Sequence, residues 1–259
     1  MPTLAAISVY PIKSLAPLDV DEARIVGAGA LEHDREFAIF DADGKVVNAK
    51  RTPRISILES RFNPRTASVT MAVRGSTDCR EFRLGDDLDP IESWLSAFFD
   101  MPVHLRRHSG GGFPDDPRSP GPTLIGEETI REVASWFEGL TVDETRTRFR
   151  ANLLIGDAPA FWDDHLFGSE GDVVRFRIGD VLFEGTNPCQ RCIVPTRDTR
   201  SGEQMPDFAG RFRERREATL PSWTHRERFN HYYRLAVNTR VPDSEIGKAL
   251  RIGDEVRLV

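Results

Sequence analysis

Residues 173–203 read VVRFRIGDVLFEGTNPCQRCIVPTRDTRSGE, and they carry both a fold signal and a chemical one. β-Branched and aromatic residues fill short runs on either side of Ile178-Gly179-Asp180, the pattern of two strands joined by a tight glycine turn. The second run leads into Cys189 and Cys192 at Cys-x-x-Cys spacing, then Ile-Val-Pro, then arginine-rich sequence. Ile-Gly-Asp recurs at Ile155 and Ile252, again near strand edges. The unequal intervals exclude a true repeat.

Working outward, the N-terminal half reads as a strand meander. LAAISVYPI (4–12), ISILESRF (55–62), SVTMAV (68–73) and EFRLG (81–85) have strand composition, and EFAIFDADGKVVNA (36–49) reads as a hairpin turning at Asp43-Gly44. DLDPIESWLSAFF (87–99) is a helix with Ile91, Trp94, Leu95 and Phe98 on one face, and EETIREVASWFEGL (127–140) a second with Ile130, Val133, Trp136, Phe137 and Leu140 as its stripe. FRANLLIGD (149–157) and the closing IGKALRIGDEVRLV (246–259) return to strand. Many short strands with few helices imply a mainly β fold built on a closed barrel. The Gly-, Pro- and Asp-rich run SGGGFPDDPRSPGP (109–122) divides the chain into a β-rich part over 1–108 and a barrel over 109–259.

Composition narrows the function. No apolar run approaches the length of a bilayer span, and the start MPTLAAISVYPIKSL lacks a basic region ahead of its apolar stretch, so neither membrane helix nor signal peptide is expected. Three cysteines are too few and odd in number for a disulfide framework; a reducing cytoplasmic setting is expected. A net charge of -6 argues against a nucleic-acid partner. Locally the sign reverses, with nine arginines against six acidic residues between Arg191 and Arg228. A basic zone beside a cysteine pair suits a small anionic ligand, although a solvated helix face explains RFRERREA (211–218) equally well.

Taken singly, the candidate residues have ordinary explanations. A lone Cys-x-x-Cys pair is as often buried as functional, and Lys13, Arg35 and Arg150 read alone as surface ion pairs. Cys79 reads as structural, and Asp163-Asp164-His165 as a solvated turn. Zinc is disfavoured because His165, His225 and His231 have no metal-like spacing to the cysteines.

Five stretches in order change the balance: YPIKS (10–14), HDREFAIFDADGKVVNAKRTPRI (33–55), FRANLLIGD, PCQRCIVPTRDTRSG (188–202) and LRIGDEVRLV (250–259). Together they resemble the MOSC proteins, in particular the two-part kind with an N-terminal MOSC-associated β domain that includes the mitochondrial amidoxime-reducing component. The resemblance implies a molybdenum-molybdopterin cofactor with Cys192 as the thiolate ligand of the metal and the catalytic centre. It implies cofactor contacts from Lys13, Ser14, Arg35, Arg150 and Asn152, with Arg191 beside the thiol, and Cys189 shaping the approaching loop. A terminal phosphate would suit the guanidinium and ammonium groups. Two departures stand out: Ala151 replaces a proline usual in relatives, and Ser119 is the nearest match to a serine-containing pattern before the second helix.

Three functions remain open. The first is an oxidoreductase acting on N-hydroxylated or N-oxidised small molecules. The second is a carrier bearing a persulfide on Cys192, and the third a cofactor-binding module without turnover. No cysteine cluster follows the barrel sequence, so an oxidoreductase is expected to take electrons from a separate protein.

Overall fold

A computed structural model describes all 259 residues, Met1–Val259. The first part of the chain forms β1 (Thr3–Val9), β2 (Leu18–Val20), β3 (Glu22–Arg24), β4 (Phe37–Asp41), β5 (Leu58–Asn63), β6 (Ser68–Val73), β7 (Cys79–Arg83), α1 (Asp89–Phe99) and β8 (Val103–Arg107). The second forms β9 (Leu124–Gly126), α2 (Glu127–Ser135), α3 (Val142–Phe149), β10 (Leu153–Gly156), β11 (Val174–Ile178), β12 (Val181–Gln190), α4 (Phe208–Ala218), β13 (Arg234–Arg240), β14 (Ala249–Arg251) and β15 (Val256–Leu258). The protein is mainly β with four α-helices, none long and apolar enough to cross a membrane.

The central sheet has eight strands in the order β15-β11-β12-β13-β9-β10-β1-β2. The expected closed barrel is not formed as a continuous ladder. Ile7–Val9 of β1 pair with β2 on the outer edge, leaving only the start of β1 to reach the other end of the sheet. There a single bridge, Thr3 to Glu255, joins the flanks, with the Leu4 and Val256 amides donating to Asp254 and Pro2 carbonyls at 2.8 Å. Pro2 has no N–H to extend the ladder, and the Gly253 turn interrupts the opposing strand. Smaller sheets pair β4 with β8 and β3 with β14; of the expected N-terminal meander only β5-β6-β7 form one sheet, β1 joining the central sheet instead.

Because β1 pairs with β10, the main core draws on both parts of the chain: Leu4 and Ile7 pack with Leu153, Phe176, Val237 and Val256. A second core joins Ile39, Met71, Leu95 and Leu105, and a third joins Val133, Trp136, Phe149 and Phe212 beneath the helices. Fully burying each such side chain contributes about 1.5–3 kcal/mol. The Gly- and Pro-rich run lies between β8 and β9, while β1 and β2 join the central sheet from the other side of that division.

Two local readings are revised, and one helix was not expected from the sequence. FRANLLIGD is not strand throughout: Phe149 ends α3, Arg150 caps it in left-handed conformation at φ 51°, and the strand begins at Leu153. The polar sequence VDETRTRF gave no apolar stripe, but Thr141 accepts the Glu144 amide at 3.2 Å and starts the helix as an N-cap. Cys79 is exposed, not packed.

Asp163 and Asp164 are not in a solvated turn either; they are 1% and 3% exposed. The Arg216 Nη2 donates to both Asp164 oxygens at 2.8 and 2.5 Å, its guanidinium lying 4.2 Å from the Phe161 ring centroid, so one arginine of RFRERREA is fully buried. Asp163 Oδ1 accepts from Thr129 Oγ1 at 2.6 Å and the Gly126 amide at 3.2 Å. Burial, then the neighbouring Asp164 charge, pushes its pKa up from 3.8 to about 6. A raised folded-state pKa means stability is fully present below 3.8 and is lost as pH rises through about 6. Asp163→Asn keeps an acceptor for both donors and removes the like charge. Its melting temperature at pH 8 is expected to equal or exceed that of the native chain, with the decline between pH 4 and 6 flattened; a fall of several degrees at pH 8 would contradict this origin.

Candidate cofactor site

Three of the sequence motifs meet at one carboxylate. Asp34 Oδ1 accepts the Tyr10 amide at 2.9 Å and the Asn152 Nδ2 at 3.0 Å, tying the YPIKS loop, the Asp34-Arg35 pair and the segment after α3 together. Asn152 is 1% exposed; it also donates to the Ser8 carbonyl and accepts the Thr123 amide. Asn152 does not line the cavity described next; its amide is engaged by protein groups beneath it, where it positions the loops above.

Above this hub lies a cavity of about 1220 Å³, lined by Lys13, Ser14, Arg35, Arg150, Arg191 and Cys192 among others. Ser14, Arg35 and Arg150 all have left-handed backbone, at φ 73°, 52° and 51°. Such conformations in non-glycine residues cost energy and concentrate where surrounding structure holds a functional geometry. Arg150 is held by the Leu15 carbonyl at 2.8 Å and stacks over Tyr10 at 4.1 Å. Lys13 Nζ reaches the Phe113 and Pro114 carbonyls and Asp115 Oδ1 at 2.9, 3.2 and 2.9 Å, and Arg35 Nη2 lies 4.0 Å from Asp115.

The electrostatics favour an anion here. Loss of hydration pulls both Lys13 and Arg150 below their usual pKa, so their charges are only partly compensated by protein groups. The same loss works to raise the Asp115 carboxyl, but Arg35 and then Lys13 outweigh it and hold the group well below the ordinary carboxylate range.

The two cysteines differ in setting. Cys189 belongs to β12, not to a loop, whereas Cys192 lies beyond the strand end, where its Sγ accepts the Val194 amide at 3.5 Å. Arg191 does not sit against Cys192 as expected. Its Nη1 donates to Cys189 Sγ at 3.2 Å and its Nη2 to the Phe149 carbonyl at 2.6 Å, because the guanidinium folds back 5.2 Å from the Phe149 ring centroid. Arg148, 3% exposed, braces the turn after Cys192 by donating to the Pro195 carbonyl at 3.2 Å while paired to Glu144 at 2.6 Å.

Two family models match the chain. Residues 1–84 match the MOSC N-terminal beta barrel domain, and residues 124–257, which carry Arg150 and both cysteines of the pair, match the MOSC domain. The chain belongs to the MOSC domain family. Among relatives, the "Molybdenum cofactor sulfurase" of Drosophila mojavensis is 27% identical over 234 residues, covering 80% of this chain and 29% of that protein. The protein of the same name from Drosophila grimshawi is 28% identical over 242 residues, and the human one 23% over 263. The chain thus spans less than a third of the length of these relatives. A crystal structure of an hypothetical protein aligns over the whole chain and 68% of its own at 11% identity and a TM-score of 0.43, too loose a likeness to inform the fold.

Within this MOSC protein, the basic residues read from sequence line the same cavity as Cys192, while Asn152 lies below it. Asp34, Asp115 and Arg148 were missed. Asp34 stands beside Arg35 in HDRE, but its partners, the Tyr10 amide and the Asn152 side chain, lie far from it in sequence. The roles of Asp115 and Arg148 depend on contacts across long sequence separations, which no local pattern encodes.

Proposed function

We propose that this MOSC protein binds a molybdenum-molybdopterin cofactor and acts as an oxidoreductase on N-hydroxylated or N-oxidised small molecules, taking electrons from a separate protein in the cytoplasm. The observation that carries the reading is the convergence of Lys13, Arg35 and Arg150 on the cavity that also exposes Cys192. The donor set fits the cofactor: clustered cations suit its phosphate, and the Cys192 thiol, lining the cavity beyond the end of β12, suits one soft metal ligand. When bound, the cofactor supplies two-electron oxygen-transfer chemistry. The protein's part is to bind and orient. Lys13, Arg35 and Arg150 hold the phosphate, Ser14 adds a hydroxyl, and Cys192 supplies the thiolate.

A second reading, transfer of sulfur from a persulfide on Cys192, is favoured by the name of the relatives, molybdenum cofactor sulfurase. Reduction of an amidoxime by the loaded protein with an artificial electron donor separates the two. Turnover that depends on bound molybdenum supports the oxidoreductase. Loaded protein without turnover, together with a labile sulfur on Cys192 detected by mass spectrometry, supports the carrier.

A further inference from the structure

The cavity holds more positive charge than one phosphate requires. Eleven lysine and arginine residues line it against six carboxylates, in a protein whose net charge is -6. Four of those carboxylates are paired with lining cations: Asp115 with Lys13, Glu59 with Arg74, Asp116 with Arg118, and Glu144 with Arg148. A fifth, Asp198, is turned to its own loop, its Oδ1 accepting the Arg200 and Ser201 amides at 2.9 and 2.7 Å.

Arg197 is one of the lining cations without a carboxylate partner, and it stands on the wall next to Cys192. Its Nη1 donates to the Gly202 carbonyl at 3.1 Å, while Nε is buried with no acceptor. The backbone beneath it is fixed. A 3₁₀ turn over Val194–Thr196 connects it to the Cys192 wall, its amide donates to the Val194 carbonyl at 3.0 Å, and it bridges to Gln204 across a turn closed by Asp198 and Glu203. That turn is braced against the other part of the chain. Gly202, at φ 75°, comes so close to Pro53 that a Cβ would lie 2.8 Å from the Pro53 carbonyl oxygen. A rigid support under an uncompensated guanidinium is the arrangement of an anion-recognition residue.

The geometry points to Arg197 as a specificity residue that selects substrates bearing a carboxylate or comparable anion, an inference that rests on the oxidoreductase reading of the cavity. A neutral substrate leaves this guanidinium without a counter-charge, whereas an anionic one supplies it in a site where loss of hydration strengthens the attraction.

The test compares benzamidoxime with its 4-carboxylate by calorimetric titration into the full chain, as the native sequence and as Arg197→Gln and Arg197→Lys. The carboxylate is expected to bind the native chain at least about tenfold more tightly than the neutral probe. That ratio should collapse towards one in Arg197→Gln, recover in part in Arg197→Lys, and shrink as salt rises. Equal affinity for both probes in the native chain, equal loss for both in Arg197→Gln, or no binding of either overturns the inference. Pterin content is measured on the same samples, and loss of pterin from Arg197→Gln would overturn it too, by assigning the charge to the cofactor. Charge-selective binding without turnover would instead strike the oxidoreductase reading and leave the anion preference standing.

Discussion

Cys192→Ser is expected to lower reductase turnover by more than a hundredfold and to change the molybdenum spectroscopic signal, while Cys189→Ser keeps substantial activity. The loss should exceed the 10–100-fold typical of removing a group that only supports a metal ligand, because the ligand itself is removed. The asymmetry follows from position. Cys192 stands free at the cavity wall beyond β12, with one weak contact from the Val194 amide. Cys189 is built into the strand and takes a hydrogen bond from Arg191, so serine can accept the same donor there. Steady-state kinetics on cofactor-loaded variants measure the outcome. Equal damage from the two substitutions would replace the single-ligand account with a dithiol or disulfide mechanism.

Arg35→Ala and Arg150→Ala are each expected to weaken cofactor retention by about 10- to 150-fold, the equivalent of the roughly 1.5–3 kcal/mol carried by a charge-assisted hydrogen bond. Neither residue anchors the hydrophobic core. Arg150 does stack on Tyr10 and hold the Leu15 carbonyl, so its removal should also lower the melting temperature slightly. Arg150→Lys controls for this by keeping the charge while losing the fork geometry. Pterin released per mole of protein, measured after extended dialysis, gives the result. Full retention in both alanine variants would count against a phosphate seat at these residues.

Much of the architecture was legible because strand periodicity and glycine turns are local. The Ile178-Gly179-Asp180 turn joins β11 to β12 in the register its apolar residues suggest, with Ile178 opposite Val181. The helix over 89–99 follows from Pro90 and the Ile91, Leu95 and Phe98 stripe. What failed was non-local or polar. Closure of the sheet depends on how two strand ends compete for the edge of β1. The burial of Asp163, Asp164 and Arg216 depends on α4 packing across a segment fifty residues away in sequence, so three charged side chains looked like surface. The direction of Arg191 was misread for a related reason. Adjacency to Cys192 suggested contact, but successive residues at a strand end diverge, and Phe149 and Cys189 draw the guanidinium to the other side.

The central claim, that Lys13, Arg35, Arg150 and Cys192 together form a molybdenum-cofactor seat, is tested most directly by metal and pterin analysis of the full chain purified from a host able to make the cofactor. Molybdenum and pterin in near-equal amounts, approaching one per chain and falling together in Arg150→Ala, is the predicted result. Protein that is folded and monodisperse yet carries neither, from a host in which another molybdenum protein loads normally, would contradict it.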